Sequence, residues 1–186
     1  MASSHPQYEV LDDQGHKTGQ LSDLPTIHKQ ALWHEVVNVW IMNSQAELLM
    51  QLRAPGMELS PGVWDVTIGT HLRLQEEPVD AALRALRTEL GITTATPEEL
   101  KHLFNVQSAN PMPNGTVHKV MGHVFMMQQN VEIPALVVDP TKISKMAWVP
   151  LPILMAEVGS QETQGKYFPR ANNYYPQLFK AFESWM

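Results

Sequence analysis

Along most of the chain the apolar positions come in short runs suited to strands, and once, near the middle, they switch to the period of a helix. Residues 32–42, Leu-Trp-His-Glu-Val-Val-Asn-Val-Trp-Ile-Met, are rich in β-branched and aromatic side chains and end in Asn43-Ser44-Gln45. They predict a long strand and a turn, with residues 47–53 as the partner strand. Residues 62–72 predict another, with Val63, Asp65 and Thr67 on one face and Trp64, Val66 and Ile68 on the other. From Pro78 to Leu90 the apolar residues Val79, Ala82, Leu83, Leu86 and Leu90 share one side of a helix, with proline at its start and Gly91 just past its end. Residues 103–107, 117–128 and 145–151 predict strands, with a turn at residues 111–115 between the first two; residues 152–158 and 175–185 predict helices. Residues 8–11, followed by Asp12-Asp13-Gln14-Gly15, predict a short hairpin decorating an edge.

This strand-rich order with a few helices predicts an α+β fold, an α/β/α sandwich around a mixed sheet. With 186 residues, 44% of them hydrophobic, the expectation is one domain, its core over about residues 8–151 and a helical extension over about 152–186. A net charge of −6 argues against a nucleic-acid partner, which requires clustered Lys and Arg, and favours a small soluble ligand. The chain has no cysteine, which excludes disulfides and thiolate chemistry. No apolar run is long enough to span a bilayer, and residues 1–8 hold no signal-peptide core; a cytoplasmic protein with no membrane partner is expected. The apolar stretch 121–127 offers an edge for a possible homodimer.

Hydrolysis of a diphosphate needs carboxylates that gather Mg²⁺ or Mn²⁺, and a helix gathers them when they lie on one side of it. Positions 85, 88 and 89 of the predicted helix meet that spacing. They hold Ala85, Thr88 and Glu89, one carboxylate of three.

The stretch from Gly69-Thr70-His71 through Glu76 to Arg84-Ala85-Leu86-Arg87-Thr88-Glu89-Leu90-Gly91-Ile92 resembles a Nudix box. Glu76, Arg84, Leu86, Glu89, Gly91 and Ile92 stand in register with it, whereas Thr70 replaces its usual glycine and Ala85 and Thr88 replace two metal-site glutamates. Glu9-Val10-Leu11-Asp12, Leu32-Trp33-His34, Pro61-Gly62-Val63-Trp64-Asp65 and Trp148-Val149-Pro150-Leu151 resemble the Nudix branch that includes isopentenyl-diphosphate isomerase.

The resemblance implies the Nudix fold, with a mixed, curved sheet between helices, and a catalytic metal site at Glu89, Glu76 and the Gly69 carbonyl, with His71 as a further ligand. Thr70, Arg84 and Gly91 would then be structural parts of the box, and Arg53, Trp64 and His71 substrate-binding residues. It also implies that His28, His34 and His71 lie at or near the metal-binding histidines of the isomerases. The isomerase's catalytic cysteine corresponds to Gly69, and the strand carrying its essential glutamates reads Val117-His118-Lys119-Val120. His118 and His123 lie on opposite faces of that strand, so one at most looks into a given cleft. The expected function is a divergent Nudix hydrolase that cleaves a diphosphate in a nucleotide-linked or similar small molecule with Mg²⁺ or Mn²⁺. One alternative is an inactive Nudix-fold ligand-binding protein; a second is isopentenyl-diphosphate isomerase-like activity.

Overall fold

The computed structural model describes residues 6–171 and 173–183; the expected helix at 175–185 therefore runs partly outside the described residues. Nine strands and four α-helices follow in chain order: β1 (Tyr8–Leu11), β2 (Lys17–Ser22), α1 (Leu24–Gln30), β3 (His34–Met42), β4 (Glu47–Arg53), β5 (Trp64–Asp65), β6 (Ile68–His71), α2 (Pro78–Leu90), β7 (Lys101–Pro111), β8 (Val117–Gln128), β9 (Ile143–Pro150), α3 (Leu151–Glu157) and α4 (Tyr174–Phe182). β1 and β2 form the expected hairpin, tied to the start of β3 by a bridge between Leu11 and Trp33. The rest form one mixed sheet of order β5-β4-β3-β8-β7, with β6 also pairing β3 and β9 also pairing β4. Only β3 and β8 run parallel.

Because strand side chains alternate, the sheet has two apolar faces. Val37, Val39, Ile41, Leu49, Phe125 and Met127 pack beneath α2; Trp40, Met42, Leu48, Met50, Val124 and Met126 pack against α3 and α4. The fold is the expected helix-sheet-helix sandwich. Helix α2 lies close to the sheet because Ala81, Ala82 and Ala85 are fully buried in the contact. Position 85 thus faces the core, not a site shared with 88 and 89. Gly91 ends α2 with φ at 70°, and its N–H reaches the Arg87 carbonyl while that of Ile92 reaches Leu86. A Cβ there would sit 2.9 Å from Val137 Cβ, so both the backbone and the space demand glycine.

The strand predicted over residues 62–72 is two strands. Val66 belongs to the α3/α4 face and Ile68 to the α2 face, so the predicted alternation fails between them. Its cause is Thr67, whose buried hydroxyl accepts from the Ile41 N–H at 2.9 Å and donates to the Leu49 carbonyl. The hydroxyl takes the place of ladder bonds where β3 and β4 diverge. The chain crosses there, from β5 on β4 to β6 on β3.

Candidate metal centre and its cleft

Three adjacent strands, β6, β3 and β8, place His71, His34 and His118 on the same face of the sheet. The register fixes this: Val36 pairs with His71, and His34 pairs with Val120, two residues after His118. Helix α1, whose N-terminus is capped by the Asp23 side chain, brings His28 over them. One ring nitrogen from each of the four histidines lies within 4.8 Å of the others.

The partners of these rings define their free nitrogens. His28 Nδ1 is 3.0 Å from Glu58 Oε2, and His34 Nδ1 is 3.1 Å from the Leu32 carbonyl. Both partners only accept, so Nδ1 carries the hydrogen and Nε2 keeps its lone pair. The Nε2 atoms of His28, His34 and His71 and both nitrogens of His118 are buried without a hydrogen-bond partner. Buried polar atoms are almost always paired, so four clustered imidazoles that carry five orphaned nitrogens between them have the character of a ligand set. The Glu58–His28 pair is the arrangement that commonly orients a metal-binding imidazole.

Burial holds His34, His71 and His118 neutral. It drives the pKa of His34 down to about 4 and that of His118 to about 2, neighbouring histidines adding to the effect, and takes His71 well below its ordinary value. In the unfolded chain each would accept a proton near pH 6.5. Stability from neutral burial is therefore complete above that pH and is lost progressively as the pH falls below 6.5, through about 4 for His34 and down to about 2 for His118. The urea midpoint of the metal-free protein is expected to drop steeply between pH 7 and pH 5; an unchanged midpoint would contradict this burial.

Of the four histidines, His28, His71 and His118 line a cleft of about 390 Å³. Its wall includes Tyr8, Val36, Leu59, Val120 and Phe168, and its charged lining includes Arg53, Arg73, Arg84, Lys142 and Arg170. Asp65, 4% exposed, pairs with both Arg53, at 3.1 Å, and Arg170. Both guanidinium groups lie over the Phe168 ring, at 4.9 and 4.8 Å. Arg170 comes from the segment before α4, which runs beside Trp64 through the Trp64 N–H to Lys166 carbonyl and Phe168 N–H to Trp64 carbonyl bonds.

The residues expected at the box divide differently. Arg84 spans the box: its Nε and Nη2 donate to Glu76 at 2.6 and 2.9 Å, and Nη2 also reaches the His71 carbonyl at 3.0 Å. Glu76 additionally accepts from the Arg73 N–H, and its pKa is lowered chiefly by Arg84. Glu89, 3% exposed, is bonded to Lys142 Nζ at 2.5 Å. Burial raises its pKa against the pull of Lys142. Thr88 donates to the Arg84 carbonyl of its own helix. Neither Glu76 nor Glu89 is grouped with the histidines, whereas Gly69, Thr70, His71 and Arg53 all line the cleft. Trp64 does not line it and instead packs against the α3/α4 cluster. His123 faces Glu35 on the opposite side of the sheet, at 3.0 Å. Sequence reasoning missed Asn38 and Arg170 in the cleft and His118 as the fourth member of the cluster, which only the register of β3 against β8 brings beside His34.

A NUDIX domain model matches residues 32–171. Isopentenyl-diphosphate Delta-isomerase 2 of Aromatoleum aromaticum is 29% identical over 152 residues, covering 82% of this chain and 76% of its own. An isopentenyl-diphosphate Delta-isomerase of Cereibacter sphaeroides is 33% identical over 134 residues, with 70% and 71% covered. A Deinococcus radiodurans crystal structure superposes with a TM-score of 0.68 at 19% identity, covering 93% of this chain and 98% of that one. The NUDIX domain of Shewanella oneidensis NrtR, crystallised with ADP ribose, superposes with a TM-score of 0.58 at 14% identity, covering 83% and 89%. Among the described residues no helix is long and apolar enough to cross a membrane. The matched domain, the box register and the sheet agree: the chain belongs to the Nudix family and resembles the isopentenyl-diphosphate isomerases within it.

Proposed function

We propose that the protein is a metal-dependent hydrolase of a small diphosphate, with its divalent ion held by His28, His34, His71 and His118 and not by the Nudix box. The observation that carries this reading is the convergence of four imidazoles, each with a buried nitrogen that has no hydrogen-bond partner. Four neutral imidazoles suit Zn²⁺, Co²⁺, Ni²⁺ or Fe²⁺, whereas Mg²⁺ prefers oxygen ligands. His28, His34, His71 and His118 would hold such an ion, and with a coordination position open beyond them it would supply Lewis acidity to a phosphoryl oxygen and to water. Around it the chain supplies a cleft whose apolar wall excludes water and whose Arg53, Arg73 and Lys142 offer donors to anionic oxygens.

Isomerisation of an alkene needs groups that add and remove protons at two carbons. Gly69 has no side chain, and His118 belongs to the proposed ligand set. This favours water as the reactant. The test is elemental analysis of the purified protein, followed by phosphate release from isoprenoid and nucleoside diphosphates after loading with Zn²⁺ or Co²⁺. One ion per chain and metal-dependent phosphate release are expected. No ion retained or taken up would sink the reading; double-bond migration without phosphate release would favour the isomerase alternative.

A further inference from the structure

At the Nudix box itself the residues do not fit the divalent cation that the family's box glutamates serve. Mg²⁺ and Mn²⁺ require several oxygen ligands in an ordered shell. Here Ala85 is sunk in the core, Thr88 is bonded to its own helix, and Glu76 is clasped by Arg84 and the Arg73 N–H. The remaining carboxylate, Glu89, already has a cation against it. Lys142 Nζ lies 2.5 Å from Glu89 Oε1, and Lys142, the residue before β9, lines the cleft together with Gly69, His71 and Arg73.

We infer that the Lys142 ammonium is the resident cation of this box, and that it donates to a phosphoryl oxygen of the diphosphate bound in the cleft. The inference rests on the proposed function for the identity of the ligand. An ammonium has three N–H donors, and the bond to Glu89 uses one. Glu89 sits at 3% exposure and Lys142 at 43%, so the carboxylate anchors the ammonium from the protein side and leaves the other donors facing the open cleft. The anchor holds firmly because separating the pair would strand a buried carboxylate. The Lys142 carbonyl accepts from the Ala54 N–H at 2.8 Å, and the Lys142 N–H donates to the Asp139 carbonyl, so the backbone at this position is fixed as well. A tethered charge of this kind needs no free Mg²⁺ to complete it.

The experiment is calorimetric titration of inorganic pyrophosphate into the full chain with its histidine ion loaded, with and without millimolar Mg²⁺. Wild-type binding is expected to be the same in both conditions. Lys142→Met should weaken binding at least tenfold without Mg²⁺ and recover part of it with Mg²⁺, because Glu89 is then free to take the ion. Lys142→Arg should retain most of the affinity. The double variant Lys142→Met with Glu89→Gln leaves no buried unpaired charge, and so protects against a folding failure; it should bind weakly in both conditions. Wild-type-like binding by the double variant, or a wild-type protein that binds only with Mg²⁺, overturns the inference. A protein that loads its ion at the histidines but binds no pyrophosphate overturns it too and leaves the metal site standing. Lys142-dependent pyrophosphate binding without an ion at the histidines upholds it and removes the hydrolase reading instead.

Discussion

Asp65→Ala is expected to cost about 3–5 kcal/mol of stability, the usual penalty for removing one member of a buried ionic cluster. In a chain of this size each kcal/mol lowers Tm by about 2–4 °C, so calorimetry should show a fall of roughly 6–20 °C. The effect is large because Arg53 and Arg170, 12% and 9% exposed, share that single carboxylate while both lie over Phe168. Without it, two guanidinium groups face each other in a place where water screens them poorly. The Arg53 bonds to the Leu59 and Ser60 carbonyls, at 2.7 to 3.2 Å, keep that side chain in place and so prevent an easy escape. A Tm within 2 °C of wild type would show that the pair is held apart by other means.

His118→Leu is expected to have opposite effects on metal binding and on stability. It removes one of the four proposed ligands, so ion content should fall from one per chain toward zero and turnover with it. In the metal-free protein, however, both nitrogens of His118 are buried without partners, and each such atom costs about 1–3 kcal/mol. Leucine has a similar size and no polar atom to strand. The metal-free variant should therefore melt higher than the metal-free wild type, by several degrees. This opposition, a site that costs stability in order to bind, is a common mark of function. A variant that melts lower in the metal-free form would mean that His118 is held by favourable contacts, its edge-on packing against Phe168 among them.

Much of the scaffold was legible in the order of residues because its signals are local. Helix α2 begins and ends where Pro78 and Gly91 predict, and β4 and β8 have the predicted bounds. Helix α1 escaped notice because it is seven residues long with two of them buried, too short to show a period; its Asp23-Leu24-Pro25 start was the one available sign. The break at Thr67 was illegible for a different reason. A threonine in a β-rich run looks like one more strand residue, and nothing local says that its hydroxyl will replace backbone bonds of two other strands.

The site was legible in part. Box register located Glu76, Arg84 and Glu89, but register says nothing of what each carboxylate meets, and both met cations of the same chain. Lys142 lies 53 positions beyond Glu89, a separation across which no local pattern announces the pair. The three histidines followed from resemblance, whereas His118 required the parallel pairing of β3 with β8, which no local pattern reveals.

The segment that carries Arg170 meets Asp65 across 105 positions of sequence. During synthesis on the ribosome, β3 through β9 can pair and bury the apolar face of the box helix before that segment has left the exit tunnel. The sheet is then a finished frame with an open door: all four histidines are in hand, but Asp65 has only Arg53. Closing the door falls to the segment after β9 as it lies down beside Trp64, so completion of the cleft is separable in principle from pairing of the sheet that bears it.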